Sequence, residues 1–368
     1  MLKIAMITPQ WLGTKGGPTN YVKNLKLNLE ADAHKVSILT SDYYPGVNIF
    51  STMPGLRDIQ IIKHLIKISP DIIHIHGRLH YILSAGVYKH IFKAKTKIIF
   101  TFHTQPQIED YLSEGKKQKL PYTGLEGKIG SFLLNHCDVV ASVSDSIIKN
   151  IKKYCDMKVT DYIVIQSGSN RTEREEMICE AFKKKNVKES SYPILSSIGV
   201  FSWDWKVLGH KITIEAINIL KGKYPNITLL IAGDGPYREY LMKIVESLSL
   251  KDNVVFCGNM EDPSAILHVA DFYVHMALNE GSPLAVIEAM RAKKTIIAAN
   301  KGGIPEIITD GETGILIEPS AVNLANKLIE LIENKEICSN IGMNAYMYAV
   351  QNLSWREITN LYISIYVK

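Results

Sequence analysis

Short apolar runs separated by helix-length segments constrain this 368-residue chain more than any other feature, because the same alternation is written twice. In the first half the runs are "KIAMITP", "KVSILTS", "DIIHIHG", "KIIFTFH", "DVVASVS" and "YIVIQSG". After a polar stretch the series restarts with "PILSSIGVF", "ITLLIAGDG", "NVVFCG", "FYVHMA", "TIIAAN" and "TGILIE". Each run is continuously apolar, so both of its faces must be covered. That requirement means parallel sheets with helices packed on either side. Its repetition predicts an α/β protein of two doubly wound, Rossmann-like domains facing a cleft. The expected domains are residues 1–188, with a linker from about 170, and residues 189–350. The border is the charge-dense stretch "NRTEREEMICEAFKKKNVKESSYP" (170–193). Residues 351–368 read as a last helix packing back on the first domain, with Ser354 and Glu357 spaced as a capping box.

Composition narrows the class. At 46% hydrophobic and 21% charged the chain can build real cores. No apolar run reaches the length of a membrane-spanning helix, and "MLKIAMITP" lacks the order of a signal peptide, so the expectation is a cytoplasmic protein. Five cysteines (Cys137, Cys155, Cys179, Cys257, Cys338) without a C-x-x-C spacing argue for reduced thiols rather than disulfides or zinc, with Cys257 a buried strand residue. The net charge of +5 is uneven. Residues 1–188 carry 27 Lys+Arg against 17 Asp+Glu (+10), and residues 189–368 carry 15 against 20 (−5). The two halves are therefore expected to meet different partners.

In doubly wound sheets, ligands sit at the carboxyl ends of strands, which directs attention to the loops. "NEGSPLAVIEAM" (279–290) follows the strand "FYVHMA". Ser282 is placed to cap a helix and Pro283 to begin it. That leaves free N–H groups and a positive helix end, an anion site, between Glu280 and Glu288. A carboxylate accepts two hydrogen bonds, so each glutamate can grip a sugar diol. The spacing suits a ligand with a polyol at each end and a negative group between, as in a nucleotide sugar. The plain alternative makes Glu280 a solvated loop residue and Glu288 an exposed helix position, and the residues alone leave both readings open.

Other loops carry chemistry less specifically. "GTKGGPTN" puts Gly16 and Gly17 before a helix begun by Pro18, where backbone can approach a ligand; a simple turn is the alternative. His103 closes "KIIFTFH" at a strand end and reads either as a site residue or as a structural histidine. His74 and His76 point to one side of their strand, but no third metal ligand is evident. No Asp-x-Asp pair occurs, so no metal site is expected. In "GLRDIQIIKHLIKISP", Ile59, Ile62, Leu65 and Ile66 interleave with Arg57, Lys63 and Lys67, and Lys89, Lys93, Lys95 and Lys97 follow. This is either a core helix with a solvated face or a surface that rests on anionic lipid. No base-stacking platform points to nucleic acid.

"NEGSPLAVIEAM" followed by "GGIPEIITDGETGILIEP" resembles the donor site of retaining GT-B glycosyltransferases of family 4, the glycogen synthase and mannosyltransferase-like group 1. The resemblance runs through "GGPTNYVKNL", "PDIIHIHG", "TFHTQP", "SVSDS", "AGDGP" and "SWREI". It implies a two-domain enzyme that moves a hexose from a nucleotide diphosphate sugar, UDP-sugars first and GDP-mannose second, to a glycan, lipid-linked or small-molecule acceptor. No further cofactor is implied. Glu280 would contact donor-sugar hydroxyls, Glu288 the ribose, and Gly281, Ser282, Pro283 and Leu284 the phosphate and sugar. Gly16 and Gly17 would lie over the diphosphate, His103 near the transferring group, and Asn259 and Met260 on the donor side. The family's arginine after the first strand of the second domain is replaced by Val200, which leaves Lys206, then Lys211, as phosphate cations. "RAKKTIIA" also departs, with Lys293, Lys294 and Thr295 where Ala-Gly-x-Pro is usual. Two rivals remain: a glycosidase or phosphorylase using the two glutamates as acid and base, and a silent subunit that binds nucleotide sugar without turnover.

Overall fold

The structure, a computed structural model, describes residues 1–11, 16–43, 45–104, 125–153, 155, 162–170, 176–260 and 262–368. The described residues form two compact units. One draws on residues 1–107, 119–168 and 355–368, and the other contains Ser169–Ser354.

The first unit is built on a seven-stranded sheet: β1 (Lys3–Thr8), β2 (Lys35–Thr40), β3 (Asn48–Ile49), β4 (Ile72–His76), β5 (Lys97–Phe102), β6 (Val139–Ser142) and β7 (Tyr162–Val164). Their order is β3-β2-β1-β4-β5-β6-β7, with every pairing parallel. Strand β4 is buried at every position and β5 at all but its first, whereas the edge strands β3 and β7 contain no buried residue. The continuous apolar runs are thus the central strands, covered on both faces. The two-residue β3 is too short to leave a pattern in the sequence.

The second unit has β8 (Ile194–Ile198), β9 (Thr228–Ala232), β10 (Val254–Gly258), β11 (Phe272–His275), β12 (Thr295–Ala299) and β13 (Ile315–Ile317). These lie in the order β10-β9-β8-β11-β12-β13, again all parallel. Two apolar layers cover the faces. One is centred on Leu229, Ile231 and Val274, the other on Leu230, Tyr273 and Ile296. All five cysteines are free; Cys257 is only half-buried, because β10 lies at the sheet edge.

The stretch expected to be a linker contributes a helix, Glu176–Asn186, that buries Cys179 and packs Phe182 against the second unit's core. Its charge lies on the outer face, and the charge density hid the apolar one. The final helix, Trp355–Val367, buries Trp355, Tyr362 and Tyr366 within the first unit. Tyr366 Oη and Thr101 Oγ1 each lie 2.7 Å from a ring nitrogen of His74, and Thr101 Oγ1 is 3.2 Å from Tyr362 Oη. Both nitrogens of His74 are therefore used in a buried network tying the last helix to β4 and β5, and neither is left to bind a metal.

Each sheet reverses its strand order once on either side of its first strand, between β1 and β4 and between β8 and β11. Each switch point opens a crevice at the carboxyl ends of its own sheet's strands. Glu280 follows β11 and Lys206 follows β8, so the fold brings two residues far apart in the sequence to one crevice of the second unit.

Candidate active site

In the second unit, β8 leads through Gly199 into the helix Asp204–Leu220. That helix presses on the chain just after β11. A Cβ added at Gly209 would lie 2.6 Å from the carbonyl of Met276 and 2.8 Å from the nitrogen of Ala277, so only glycine fits there. The Leu278 N–H donates to the Trp205 carbonyl at 3.4 Å. With the helix held so close, Lys206 in its first turn meets Glu280: Nζ lies 2.8 Å from Oε1. The side chains are 24% and 12% exposed.

The loop "KGGIPE" fixes Glu280 from the other side. The Gly303 N–H donates to the Glu280 carbonyl at 2.8 Å, and Gly302 takes φ +59° where a Cβ would come within 2.5 Å of that same oxygen. The sequel to the glutamate motif is therefore a brace for its first carboxylate.

Glu280 is also near two side chains of β11. His275 Nε2 lies 3.6 Å from Oε1, and Tyr273 Oη lies 3.1 Å from His275 Nδ1. Burial alone would raise the Glu280 carboxyl, but Lys206 and then His275 more than offset it, so it falls from 4.5 to about 2. Glu280 is ionised throughout the neutral range. Burial, then the charges of Glu288 and Glu280, hold the Tyr273 hydroxyl well above its ordinary value, so this phenol lies in the field of both glutamates. Gly199, Lys206, Gly209, His210, His275 and Glu280 line a small, partly open recess. Burial, then nearby His275 and Lys206, push His210 down to about 3, so it is neutral there.

The helix after the Gly-Ser-Pro turn runs Leu284–Arg291. Pro283, extended at φ −69° and ψ 114°, is its N-cap, with no side-chain capping bond. This corrects the expectation that Ser282 caps and Pro283 is the first helical residue: the Val286 N–H reaches the Pro283 carbonyl at 3.1 Å. Gly281, Ser282 and Pro283 are buried beside Glu280, and Glu288, fifth in the helix, is half-buried. The start of this helix thus lies between the two carboxylates along the chain.

Other expected residues are placed apart. Lys211 pairs with Glu215 one turn on, at 3.7 Å, and does not line the recess. Asn259 is exposed and Met260 packs partly on the core, both following β10, two strands from β8. Val200 sits in the loop after β8 and is half-buried.

The first unit holds Gly16, Gly17 and His103. Gly16 is the extended N-cap of the helix Gly17–Ala31, and a Cβ at either glycine would meet nothing within 4 Å. Residues 12–15 of this loop, and those of "TFHTQP" beyond Thr104, lie outside the described residues. His103 follows β5 and its Nε2 is 2.9 Å from His76 Nδ1, with the Tyr21 ring edge-on at 4.7 Å. Burial pushes His103 down to about 3, so it is a neutral, hydrogen-bonded imidazole. Among the described residues no group of three or more His, Cys, Asp or Glu is placed to hold a metal ion.

His275, Tyr273, His210 and Gly209 were not singled out in the sequence. One signal for two of them was present: Tyr273 and His275 alternate on a strand whose end carries Glu280, so both side chains share one face.

Two parallel Rossmann-like units, the second with an ionised carboxylate and a lysine at its switch point, define a doubly wound α/β protein whose polar groups gather at strand ends. Residues 179–348 match the family described as Glycosyl transferases group 1, and residues 15–172 match Glycosyltransferase Family 4. The chain belongs to this group of glycosyltransferases, with the GT-B fold. It is similar to N-acetyl-alpha-D-glucosaminyl L-malate synthase of Bacillus anthracis, 26% identical over 80% of this chain and 74% of that protein. It is also similar to alpha-monoglucosyldiacylglycerol synthase of Acholeplasma laidlawii, 24% identical over 94% of this chain and 92% of that one. Among solved structures, Anabaena Alr3699/HepE in complex with UDP-glucose superposes with a TM-score of 0.81, at 18% identity and 99% coverage of both chains.

Proposed function

We propose that this glycosyltransferase moves a hexose from a nucleotide diphosphate sugar, a UDP-sugar first and GDP-mannose second, with retention of anomeric configuration. The observation that carries the reading is the ionised Glu280 held at the end of β11 beside Lys206 and directly before a helix N-terminus. In this reading Glu280 accepts hydrogen bonds from donor-sugar hydroxyls, and Glu288 accepts from the ribose diol. The amides around residues 281–285 and Lys206 take the diphosphate. The bond from the sugar's C1 to the diphosphate oxygen breaks, C1 bonds to the acceptor oxygen on the same face, and the acceptor's proton passes to the departing diphosphate. Fixed N–H dipoles and one lysine stabilise the negative charge that develops on the leaving group, so the step is metal-independent. The acceptor, a glycan, a lipid-linked sugar or a small molecule, is assigned to the basic first unit; Gly16 and Gly17 are assigned to the donor's diphosphate and His103 to the transferring group. Support comes from the neighbour solved with UDP-glucose and from relatives named as sugar-transferring synthases. A thermal-shift screen over UDP- and GDP-sugars tests the donor, because a ligand that binds only the native state raises its unfolding temperature. A UDP-sugar should give the largest shift; no shift with any nucleotide sugar would refute the assignment.

One surface favours a lipid-borne acceptor and peripheral attachment of a cytoplasmic enzyme to an anionic membrane. On the helix Leu56–Ile68, Ile59 and Ile66 are 54% and 46% exposed, and Lys63 and Lys67 are exposed among them. The neighbouring helix Tyr81–Ile91 ends in exposed Ile91 and Phe92, with Lys95 exposed just beyond. Lys89 and Lys93 do not serve this surface as the charge count suggested. They are committed to Asp138 and Asp71 at 2.6 and 2.9 Å. No helix among the described residues is long and apolar enough to cross a membrane. One relative is named for a glucosylated diacylglycerol. Sedimentation with anionic but not neutral vesicles, reduced by high salt and by Lys63→Ser with Lys67→Ser, is the expected result. Equal sedimentation with both vesicles, or with neither, refutes it.

A further inference from the structure

Two donors converge on a single oxygen of Glu280. Lys206 Nζ is 2.8 Å from Oε1, while His275 Nε2 stands 3.6 Å from the same atom, beyond hydrogen-bond length. His275 Nε2 and Glu280 Oε1 are both buried without a well-formed hydrogen bond, so Lys206 holds the carboxylate as an ion pair. A carboxylate oxygen can only accept, so the ring nitrogen that faces it is stable there only if it carries the hydrogen. On a ring carrying a single hydrogen, that choice fixes the other end. Nδ1 is then an acceptor, and the Tyr273 hydroxyl, 3.1 Å away, donates to it. Tyr273 can donate because burial and the charges of Glu288 and Glu280 keep its phenol protonated. The direction of the whole chain follows from the carboxylate at its end.

We infer that His275, backed by Tyr273, is a positioning residue for Glu280 that takes over the carboxylate when Lys206 is drawn to the donor's diphosphate. The single positive charge of Lys206 cannot balance both a carboxylate and a diphosphate, so a diphosphate drawing on it weakens its hold on Glu280. As Lys206 turns away, Glu280 would be left as a buried carboxylate without a partner, a costly state. A shift of a few tenths of an ångström closes the His275 N–H onto Oε1 and removes that penalty. Glu280 thereby stays ionised and aimed while the lysine acts elsewhere. His275 has the geometry for this because Tyr273 and His275 share one face of β11, and the Gly303 N–H holds the Glu280 backbone in place.

The alignment of Tyr273, His275 and Glu280 is independent of any substrate, whereas its use during transfer rests on the donor reading above. Nitrogen NMR of histidine-labelled protein tests the chain without any ligand. The expected result is a protonated Nε2 on His275 whose proton signal moves downfield in Lys206→Met, as the bond to Glu280 forms, and not in Lys206→Met with Glu280→Ala. An unprotonated Nε2, or a signal that ignores Lys206→Met, overturns the inference. Kinetics test its use. His275→Leu should lower kcat/KM for the sugar donor about 10- to 100-fold, the worth of one charge-assisted hydrogen bond, with UDP affinity unchanged. His275→Gln, which offers an amide N–H at similar reach, should recover most of that loss. If His275→Leu weakens UDP and transfer equally and glutamine restores nothing, the residue is merely structural and the inference fails. If the NMR signature is found but no nucleotide sugar is turned over, the chain stands and the transfer reading falls.

Discussion

Replacing Lys206 with methionine isolates the interaction on which the candidate site turns. Glu280 ionises at about 2 rather than 4.5, with Lys206 the largest cause lowering it. Such a shift corresponds to about 3 kcal/mol in favour of the charged form. Because Lys206 is 24% exposed and partly screened, the expected loss on its removal is about 2 kcal/mol at pH 7. Glu280→Gln should cost about 1 kcal/mol or less. It leaves a lysine that can extend its charge into water, whereas Lys206→Met leaves a carboxylate that cannot. The pH dependence has a definite sign. In the wild type the depressed carboxyl contributes stability that is present above 4.5 and lost as pH falls through about 2. In Lys206→Met burial remains without its main offset, so the carboxyl rises and protonation on acidification relieves the variant. The gap between the two proteins should therefore be widest at pH 7 and shrink towards pH 4. Urea unfolding followed by tryptophan fluorescence measures it, since Trp203 and Trp205 stack 5.3 Å apart beside Lys206. A gap that stays constant from pH 7 to pH 4, or a Glu280→Gln variant as unstable as Lys206→Met, would refute the reasoning.

Glu288→Ala should weaken UDP and UDP-sugar alike, by roughly 1.5–3 kcal/mol, while Glu280→Ala should spare UDP and weaken only the intact donor. Calorimetric titration of both ligands reads that division, and equal losses for free nucleotide would contradict it. Gly302→Ala forces a side chain into a left-handed position at φ +59° and against the Glu280 carbonyl, so both stability and transfer should fall, stability by about 1–3 kcal/mol. Unfolding midpoints and initial rates unchanged from wild type would show that the loop does not brace Glu280. Transfer should persist after exhaustive EDTA treatment; loss that only Mn²⁺ or Mg²⁺ restores would overturn the metal-independent reading.

The sheet architecture was legible because central parallel strands are covered on both faces, and β4, β5, β9 and β12 show this as short, mostly apolar runs whose few polar residues are nearly all buried. Short edge elements such as Asn48–Ile49 have no such obligation and left no trace. The glutamate pair was legible because a turn rich in Gly, Ser and Pro set charge against a helix end. The partners of Glu280 were not. Lys206 was read as a phosphate cation, and nothing in its sequence neighbours shows that the close approach at Gly209 folds it onto a carboxylate. His275 sits inside an apolar strand, where a histidine ordinarily reads as a core residue. Lys293 illustrates a different limit. It occupies a left-handed position (φ +58°) just after the helix Leu284–Arg291, where the Lys294 N–H closes back on the Ala289 carbonyl at 3.1 Å. Glycine usually marks that stop, so the helix end was hidden by the residue that fills it.

The central claim is that Glu280 and its neighbours act on a nucleotide sugar. Release of nucleoside diphosphate by the purified protein from a panel of UDP- and GDP-sugars, run in parallel with Glu280→Ala, tests it most directly. The account predicts turnover of at least one UDP-sugar by the wild type, with the variant reduced about 10-fold or more while still binding UDP. Turnover of no member of the panel, or equal turnover by the variant, would contradict it.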